Sequence, residues 1–407
     1  MSLEWDVTTI GELCSNVSSG GTPKSTNEEY YGGDIPWLNT KEINFNRIYD
    51  TEKHITNEGF VNSAAKWVKK DSVIVAMYGA TAGKVAMNMV DLTTNQACCN
   101  LTIDKSLANP KFVYYYLYGN YERLLNLASG AAQQNLNSNI IKEFPINIPS
   151  LNAQNEVVNL LSTIDDKIEL NQKINKNLFN IASSLQTDWM INFTPFKSKE
   201  FKSSSFGLIP EDWNVGKLGD VIELLDSKRI PISGQKRENM EKIYPYYGAA
   251  SLMDYVDDYI FDGIYLLMGE DGTVIDEKGF PILQYVWGKF WVNNHAHILK
   301  GKNGFNVDSL YLLLSKTNIQ SIVTGAVQAK VNQSNLKSIE IIIPPVEVIN
   351  EFNELIKPFF DAIRSNHDEI EKLQKLRDTL LPKLMSGEID VSKINCDLEN
   401  STGGGKI

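Results

Sequence analysis

The sequence predicts an α/β (α+β) protein in which two similar globular domains are separated by two long helices. The helices are expected to pair as an antiparallel coiled coil, giving a pseudo-twofold molecule. Two heptad seams and one internal repeat predict this. From Asn155 to Phe193, seam-compatible residues recur at Val157, Leu161, Ile164, Ile168, Asn171, Asn175, Leu178, Ala182, Leu185 and Trp189, in steps that alternate four and three. That is the 3.5-residue period of a coiled-coil seam. No Pro or Gly interrupts the stretch. A helix of about 38 residues would run roughly 57 Å at 1.5 Å per residue, longer than one globular domain can cover. It needs a partner helix.

The partner begins at Glu351, with a seam at Phe352, Ile356, Phe359, Ile363, Asn366, Ile370, Leu373, Arg377, Leu380 and Leu384. Adding 195 to each position of the first seam gives the second, and Asn171 falls on Asn366. A buried Asn costs stability but fixes register, because a mispaired amide is left without a hydrogen-bond partner. The helices are well separated in sequence, and folding one back on the other would bring these two Asn near each other. The expected pairing residues are therefore Ile164, Ile168, Asn171, Leu178 and Leu185 on the first helix, with Phe359, Ile363, Asn366, Leu373 and Leu380 on the second. The plainer alternative is two unrelated amphipathic helices in one core.

Taken in order, residues 1–150 read as a mixed domain. DSVIVAMYG (Asp71 to Gly79) is a buried strand and turn, and NLTI (Asn100 to Ile103) is a second strand. Asn109-Pro110 opens a helix, because Pro is tolerated in the first turn, and FPINI closes the domain as a strand. The first long helix fills 151–193. Residues 194–212 are Ser/Lys-rich with Pro195 and Pro210, and are expected as an exposed, flexible linker. Residues 213–345 repeat the first domain. Trp5, Val7, Ile10 and Gly11 match Trp213, Val215, Leu218 and Gly219 at an offset of 208. Gly130, Gln133, Asn137, Lys142, Ile146 and Pro149 match Gly325, Gln328, Asn332, Lys337, Ile341 and Pro344 at an offset of 195, so the interiors differ by 13 residues. The second long helix occupies 346–387, and the tail 388–407 is expected to be disordered.

At 407 residues the chain can bury more than one core. No apolar run reaches membrane-spanning length, and the start lacks a basic-then-apolar leader, so no membrane partner and a cytoplasmic location are expected. The four Cys (Cys14, Cys98, Cys99, Cys396) make no CxxC, which argues against a zinc finger or a disulfide framework. The net charge of −11 argues against a lone nucleic-acid binder. The acid is spread, however: residues 1–150 hold 12 Lys/Arg against 15 Asp/Glu, and 213–345 hold 13 against 15. Basic patches on folded faces remain compatible with that.

Enzymatic motifs fail on inspection. GATAGKV (Gly79 to Val85) is one residue short of a phosphate loop and has Val85 where the metal-binding hydroxyl belongs. Lys84 reaching a backbone phosphate fits better. His295 and His297 in a strand would share a face, as half of a metal site, a structural pair or polar residues facing DNA; no further ligand cluster accompanies them, so no metal is expected. Glu270-Asp271 precedes a Gly and reads as a turn rather than a catalytic pair. What remains is polar, aromatic and basic residues around turns. Asn and Gln can read adenine, Arg and Lys can read guanine, and Lys can hold phosphate. The candidates in the first domain are Thr22, Lys24, Trp37, Lys41, Lys84, Asn95, Gln96 and Gln133. In the second they are Lys228, Arg229, Lys236, Arg237, Tyr247, Lys289, Asn293, Asn294, His295, Gln328 and Lys330.

SGGTPKSTNEEYYGGDIPWLNTKEI, GLIPEDWNV, YPYYGAASLMDYVDDYIFDG, GKFWVNNHAHIL and TLLPKLMSGEI follow one another in this order, within a twofold repeat. In this the chain resembles the specificity (S) subunits of type I restriction–modification systems over nearly its whole length before the tail. The resemblance implies two target-recognition domains, each reading half of a bipartite double-stranded DNA sequence. It implies helices that fix the half-site spacing and dock two methyltransferase (M) subunits, which motor-nuclease restriction (R) subunits join. S-adenosylmethionine would sit on the M subunits, and ATP and Mg on the R subunits, leaving this chain no cofactor and no catalytic residue. The acidic total suggests that the M subunits supply much of the phosphate contact. A methyltransferase-only system, a self-contained enzyme, and a coiled-coil scaffold with protein- or sugar-binding heads are the alternatives.

Overall fold

The structure, a computed structural model, describes residues 5–127, 135–325 and 328–390. The two heptad stretches form two unbroken helices, Leu151–Met190 and Val346–Met385, of 40 residues each. By internal contacts the chain divides in the middle of both, between Leu170 and Asn171 and between Asp368 and Glu369. Each unit therefore joins one globular domain to half of each helix.

In the first unit a five-stranded sheet runs in the order Cys14–Ser19, Cys98–Ile103, Val73–Ala76, Val85–Asn88, Asn46–Ile48. Val73–Ala76 and Val85–Asn88 are buried throughout, which explains why, Asn88 apart, their sequence is continuously apolar rather than alternating. A four-stranded sheet stands beside it: Lys53–Ile55, Tyr31–Leu38, Leu92–Thr94, Trp67–Val68. Asp6–Thr9 pairs antiparallel with Pro145–Ile148, tying the domain's start to its end. The predicted helix runs Pro110–Gly119 and carries Phe112, Val113, Tyr115 and Leu117 into the core. That core is completed by Val157, Val158 and Leu161 from the first long helix, and by Leu381, Leu384 and Met385 from the second.

Within this unit the helix halves run antiparallel. Ile164, Ile168 and Ile370 form a buried cluster, with Leu373 and Leu380 packed on it, while Arg377 donates to Asp165 at 2.9 Å. The domain holds these helix faces through Tyr115, whose hydroxyl donates to Asp165 at 2.6 Å, and Tyr49, which donates to Glu169 at 2.8 Å. Arg47 donates to Asp166, and Arg377 donates to the Tyr118 hydroxyl at 2.8 Å.

The second unit repeats the plan. Its sheets run Ile222–Leu224, Ala296–Gly301, Tyr265–Gly269, Leu283–Val286, and Leu252–Val256, Tyr244–Tyr247, Lys289–Val292, Phe261–Asp262. Asn214–Lys217 pairs with Glu340–Ile343. Among the described residues the first sheet has four strands where the first unit has five, with none corresponding to the edge strand Asn46–Ile48. Gly11 and Gly219 match for a physical reason: a Cβ on either would come within 3.0 Å and 2.9 Å of the Cβ of Lys142 and Lys337. Ala182, Ile349, Phe352, Ile356 and Phe360 carry both helices into the second core, with Leu185, Phe359 and Ile363 packed against it and Leu178 half-buried.

One expectation is sharpened and one corrected. Asn366, expected near Asn171, donates its amide to Asn175 Oδ1 at 2.8 Å, and Asn175 donates to Ile363 O at 3.2 Å. Residues at equal repeat positions meet only if the antiparallel register is centred on them. Here Asn366 meets the seam residue one turn beyond Asn171, which is itself buried. The linker is also not a flexible strap. Thr194–Phe196 is a 3-10 turn, and Phe201–Ser204 pairs with Gly207–Pro210 as a hairpin. Phe193, Phe196 and Ile209 bury against Trp213 and Val348. Three apolar side chains, Phe193, Phe196 and Ile209, are diluted in or beside a Ser/Lys-rich window, yet all join the cluster around one indole. The tail beyond residue 390 lies outside the described residues.

Candidate functional site

Each domain ends a parallel strand pair in the same asparagine turn. Trp37 and Leu38 pair in parallel with Thr93 and Thr94, as do Tyr246 and Tyr247 with Trp291 and Val292. The next residue, Asn95 or Asn293, donates its backbone N–H across the pair to Leu38 O or Tyr247 O, at 3.0 Å in both. Its side-chain oxygen then accepts from Ala97 N at 3.0 Å or His295 N at 2.8 Å. Such a turn is what an Asn side chain provides by mimicking a backbone carbonyl. Asn95 and Asn293, expected as DNA contacts, are therefore buried turn-formers, 8% and 5% exposed. Gln96 and Asn294 stand exposed at the tips.

A second segment locks onto the turn. Met77 N donates to Ala97 O, and Glu270 N to His295 O, both at 2.8 Å. A third closes it: Leu136 N donates to Met77 O at 2.7 Å, and Val331 N to Glu270 O at 2.8 Å. Three segments distant in sequence thus meet at one place in each domain, and most of the predicted residues surround it.

In the first domain Thr22 donates to Gln96 Oε1, and Tyr78 donates to Gln96 O at 3.2 Å. Thr81 donates to Thr40 O at 2.9 Å and Lys84 Nζ to Asn44 Oδ1 at 2.7 Å, bringing the glycine turn beside the loop that carries Lys41. Lys24 is exposed on the same loop as Thr22, and Lys41 pairs with Glu52 at 2.5 Å. Trp37 does not face solvent. It is 4% exposed in a cluster with Ile35, Ile55 and Ala65, and its indole donates to Gly21 O at 2.9 Å, so it shapes the Thr22 loop from behind. Gly79 to Val85 leads into a strand, not a helix, so no helix N-terminus is present to hold phosphate. Gln133 lies outside the described residues.

In the second domain Lys228, Lys236, Lys289, Gln328 and Lys330 are exposed. Lys289 stands over the Tyr259 ring at 4.4 Å, and Tyr247 packs on Phe290. Arg229 and Arg237, expected as DNA contacts, are instead committed inside the domain. Arg229 donates to Glu270 at 2.5 Å and to the carbonyls of Asn294 and Ala296 at 3.2 and 2.9 Å. Arg237 donates to Asp254 at 3.0 Å and to Ile232 O at 2.6 Å, and lies over Tyr246. A guanidinium has five donors in a fixed fork, and these backbone carbonyls hold it in place.

The two histidines do not share a face. His295 belongs to the turn and is exposed, its Nδ1 2.6 Å from Asp271 Oδ1. His297 lies inside the strand, wholly buried, with Nδ1 2.6 Å from Asp226 and Nε2 2.7 Å from Val331 O. Asp226, Glu270 and His297 converge closely enough to hold a metal ion. Yet both nitrogens of His297 face acceptors, leaving no lone pair for a metal, and the Arg229 guanidinium bonds to Glu270 and lies 3.7 Å from Asp226. The donor set fits an ion-pair network rather than a metal. Burial raises the Asp226 carboxyl, but hydrogen bonds from His297 and the Ile298 N–H outweigh it and hold the group below the ordinary carboxylate value.

Sequence reading missed Tyr78, Asn44, Asp226 and Asp271 as parts of this arrangement. Tyr78 carried a signal, a large aromatic opening a glycine-rich turn; the other three carry none, because their partners lie 24 to 71 residues away.

The family model for the type I restriction modification DNA specificity domain matches residues 2–180 and 210–375. The MjaIX type I restriction enzyme specificity subunit of Methanocaldococcus jannaschii is 30% identical over 416 residues, 96% of this chain and 95% of its own length. The EcoprrI specificity subunit of Escherichia coli is 24% identical over 88% of each chain. The crystal structure of a type I restriction–modification S subunit from M. genitalium shares the fold, with a TM-score of 0.54 at 18% identity over 94% of this chain and 96% of that one. Among the described residues, no helix is long and apolar enough to cross a membrane.

Proposed function

This chain belongs to the family of type I restriction–modification specificity subunits, with two target-recognition domains, and from that premise we propose how it works. Each domain reads one half of a bipartite double-stranded DNA sequence through the loops around its asparagine turn. The paired long helices set the spacer between the halves and dock two methyltransferase subunits, to which restriction subunits add. The chain itself carries no catalytic group. S-adenosylmethionine belongs to the methyltransferase subunits, and ATP and Mg to the restriction subunits.

The observation that carries this reading is the repetition of one site in two domains whose exposed residues differ. Backbone bonds around Asn95 and Asn293 coincide, while the tips present Thr22, Gln96 and Lys24 in one and Asn294, His295, Gln328 and Lys330 in the other. A shared frame with different polar side chains is what two half-sites of different sequence require. The net charge of −11 fits a subunit that relies on its partners for phosphate contact.

The test is to co-express the chain with its methyltransferase in a host free of DNA methylation and map methylated adenines by single-molecule sequencing. A split motif that requires this chain is the expected result. Exchange of residues 1–150 for those of a relative should alter one half of the motif only. A folded complex without such a motif would refute DNA recognition and favour a scaffold.

A further inference from the structure

His295 is held more completely than an exposed side chain needs to be. Its N–H donates to Asn293 Oδ1 at 2.8 Å, and its carbonyl accepts from Glu270 N at 2.8 Å. Its ring Nδ1 lies 2.6 Å from Asp271 Oδ1, although 46% of the side chain is exposed. Asp271 is fixed in turn: its backbone bridges to Lys330, and the following Gly272 N donates to Ala329 O at 3.0 Å. A carboxylate only accepts, so Nδ1 carries the proton in this pair, and Nε2 has no hydrogen-bond partner among the described residues. The result is an imidazole whose tautomer and direction are both set and whose second nitrogen is left for something outside the chain.

Beneath it sits the buried network of Asp226, Arg229, Glu270 and His297. Arg229 holds the carbonyls of Asn294 and Ala296, on either side of His295. Glu270, which receives Arg229 at 2.5 Å, is the residue before Asp271. The first domain has the same backbone cage around Ala97, with apolar Met77 on the neighbouring segment. The second domain has thus added an exposed polar ring, an acid to aim it, and charged groups to support both, at a position where the first buries a methyl group.

We infer that His295, aimed by Asp271, is a specificity-determining residue whose Nε2 contacts a base edge in the half-site read by the second domain. This rests on the DNA-recognition reading above. With Nδ1 protonated, a neutral ring offers Nε2 as an acceptor, complementary to the exocyclic amino groups of adenine or cytosine in the major groove. Asp271 is a positioning residue and touches no base.

The experiment uses the full chain co-expressed with its methyltransferase, comparing wild type, H295A, D271A and D271N by methylation mapping and by binding of the complex to matched and single-mismatch duplexes. One partner of this ion pair is 46% exposed, so the pair contributes little to folding and all variants should melt close to wild type. H295A is expected to relax one position of one half-site, losing roughly two- to tenfold in discrimination there, as for one neutral hydrogen bond, with the other half unchanged. D271A should relax the same position, while D271N, whose amide oxygen still accepts from Nδ1, should retain it. A wild-type motif that H295A leaves intact, or that it degrades in both halves, overturns the inference while leaving DNA recognition standing. Absence of any split motif with wild type overturns both.

Discussion

If the helices are a ruler, lengthening them must lengthen the spacer. The contacts divide between Leu170 and Asn171 and between Asp368 and Glu369, so one heptad inserted at each place removes no contact within either unit. Seven residues add about 10.5 Å at 1.5 Å per residue and keep the seam in phase. At about 3.4 Å per base pair, this is roughly three base pairs. Those base pairs also turn the duplex by roughly 100°, whereas a heptad turns a straight helix by only about 20° off its seam. The expected outcome is a spacer longer by about two to three base pairs, with both half-sites intact and methylation weakened by the mismatch in twist. Methylation mapping of the co-expressed complex reads all three quantities. An insertion in one helix alone should abolish methylation, since its seam then faces the wrong residues. A double insertion that methylates the original spacer would refute the ruler.

Three further outcomes test the energetics. Arg377 and Asp165 have side chains only 11% exposed, so R377L should cost roughly 2–4 kcal/mol in denaturant unfolding, with D165L/R377L costing less than the sum of the single variants; strict additivity would show that the pair is not coupled. Asp226 is held below the ordinary carboxylate value, so its contribution is present above about pH 4 and fades as pH falls through its folded pKa; D226N should melt below wild type at neutral pH, with the gap closing in acid, and a gap independent of pH would remove the charge from the argument. W37A should cost about 3–5 kcal/mol of folding stability, and an unchanged melt with selective loss of one half-site would return Trp37 to the DNA face.

The long helices were legible because a 3.5-residue period sustained over ten seam positions has no other common cause. The repeat was legible because frame residues answer to sheet pairing and close backbone approach, as Gly11 and Gly219 do against Lys142 and Lys337. The site was legible as loops but not as roles. Asn95 and Asn293 have the chemistry to read adenine and spend it on a turn. Arg229 and Arg237 have the chemistry to read guanine and spend it on Glu270, Asp254 and backbone carbonyls. Residue type tells what a side chain can bond to; only the fold tells which bonds are already made. The same holds for Asn175, which is placed opposite Asn366 by a register that no single helix encodes.

The first domain's core includes Leu381, Leu384 and Met385. Those residues emerge from the ribosome more than 200 positions after the domain's own last strand, Pro145–Ile148. At about 5–20 residues per second that is a wait of roughly 10–45 seconds with apolar surface open. During it the first long helix is an unmatched adhesive strip, able to seize the corresponding helix of a neighbouring nascent chain. A message truncated after the first domain and its helix would therefore yield not a half-size monomer but a self-associating product, with two copies supplying to each other the helix that the intact chain supplies to itself.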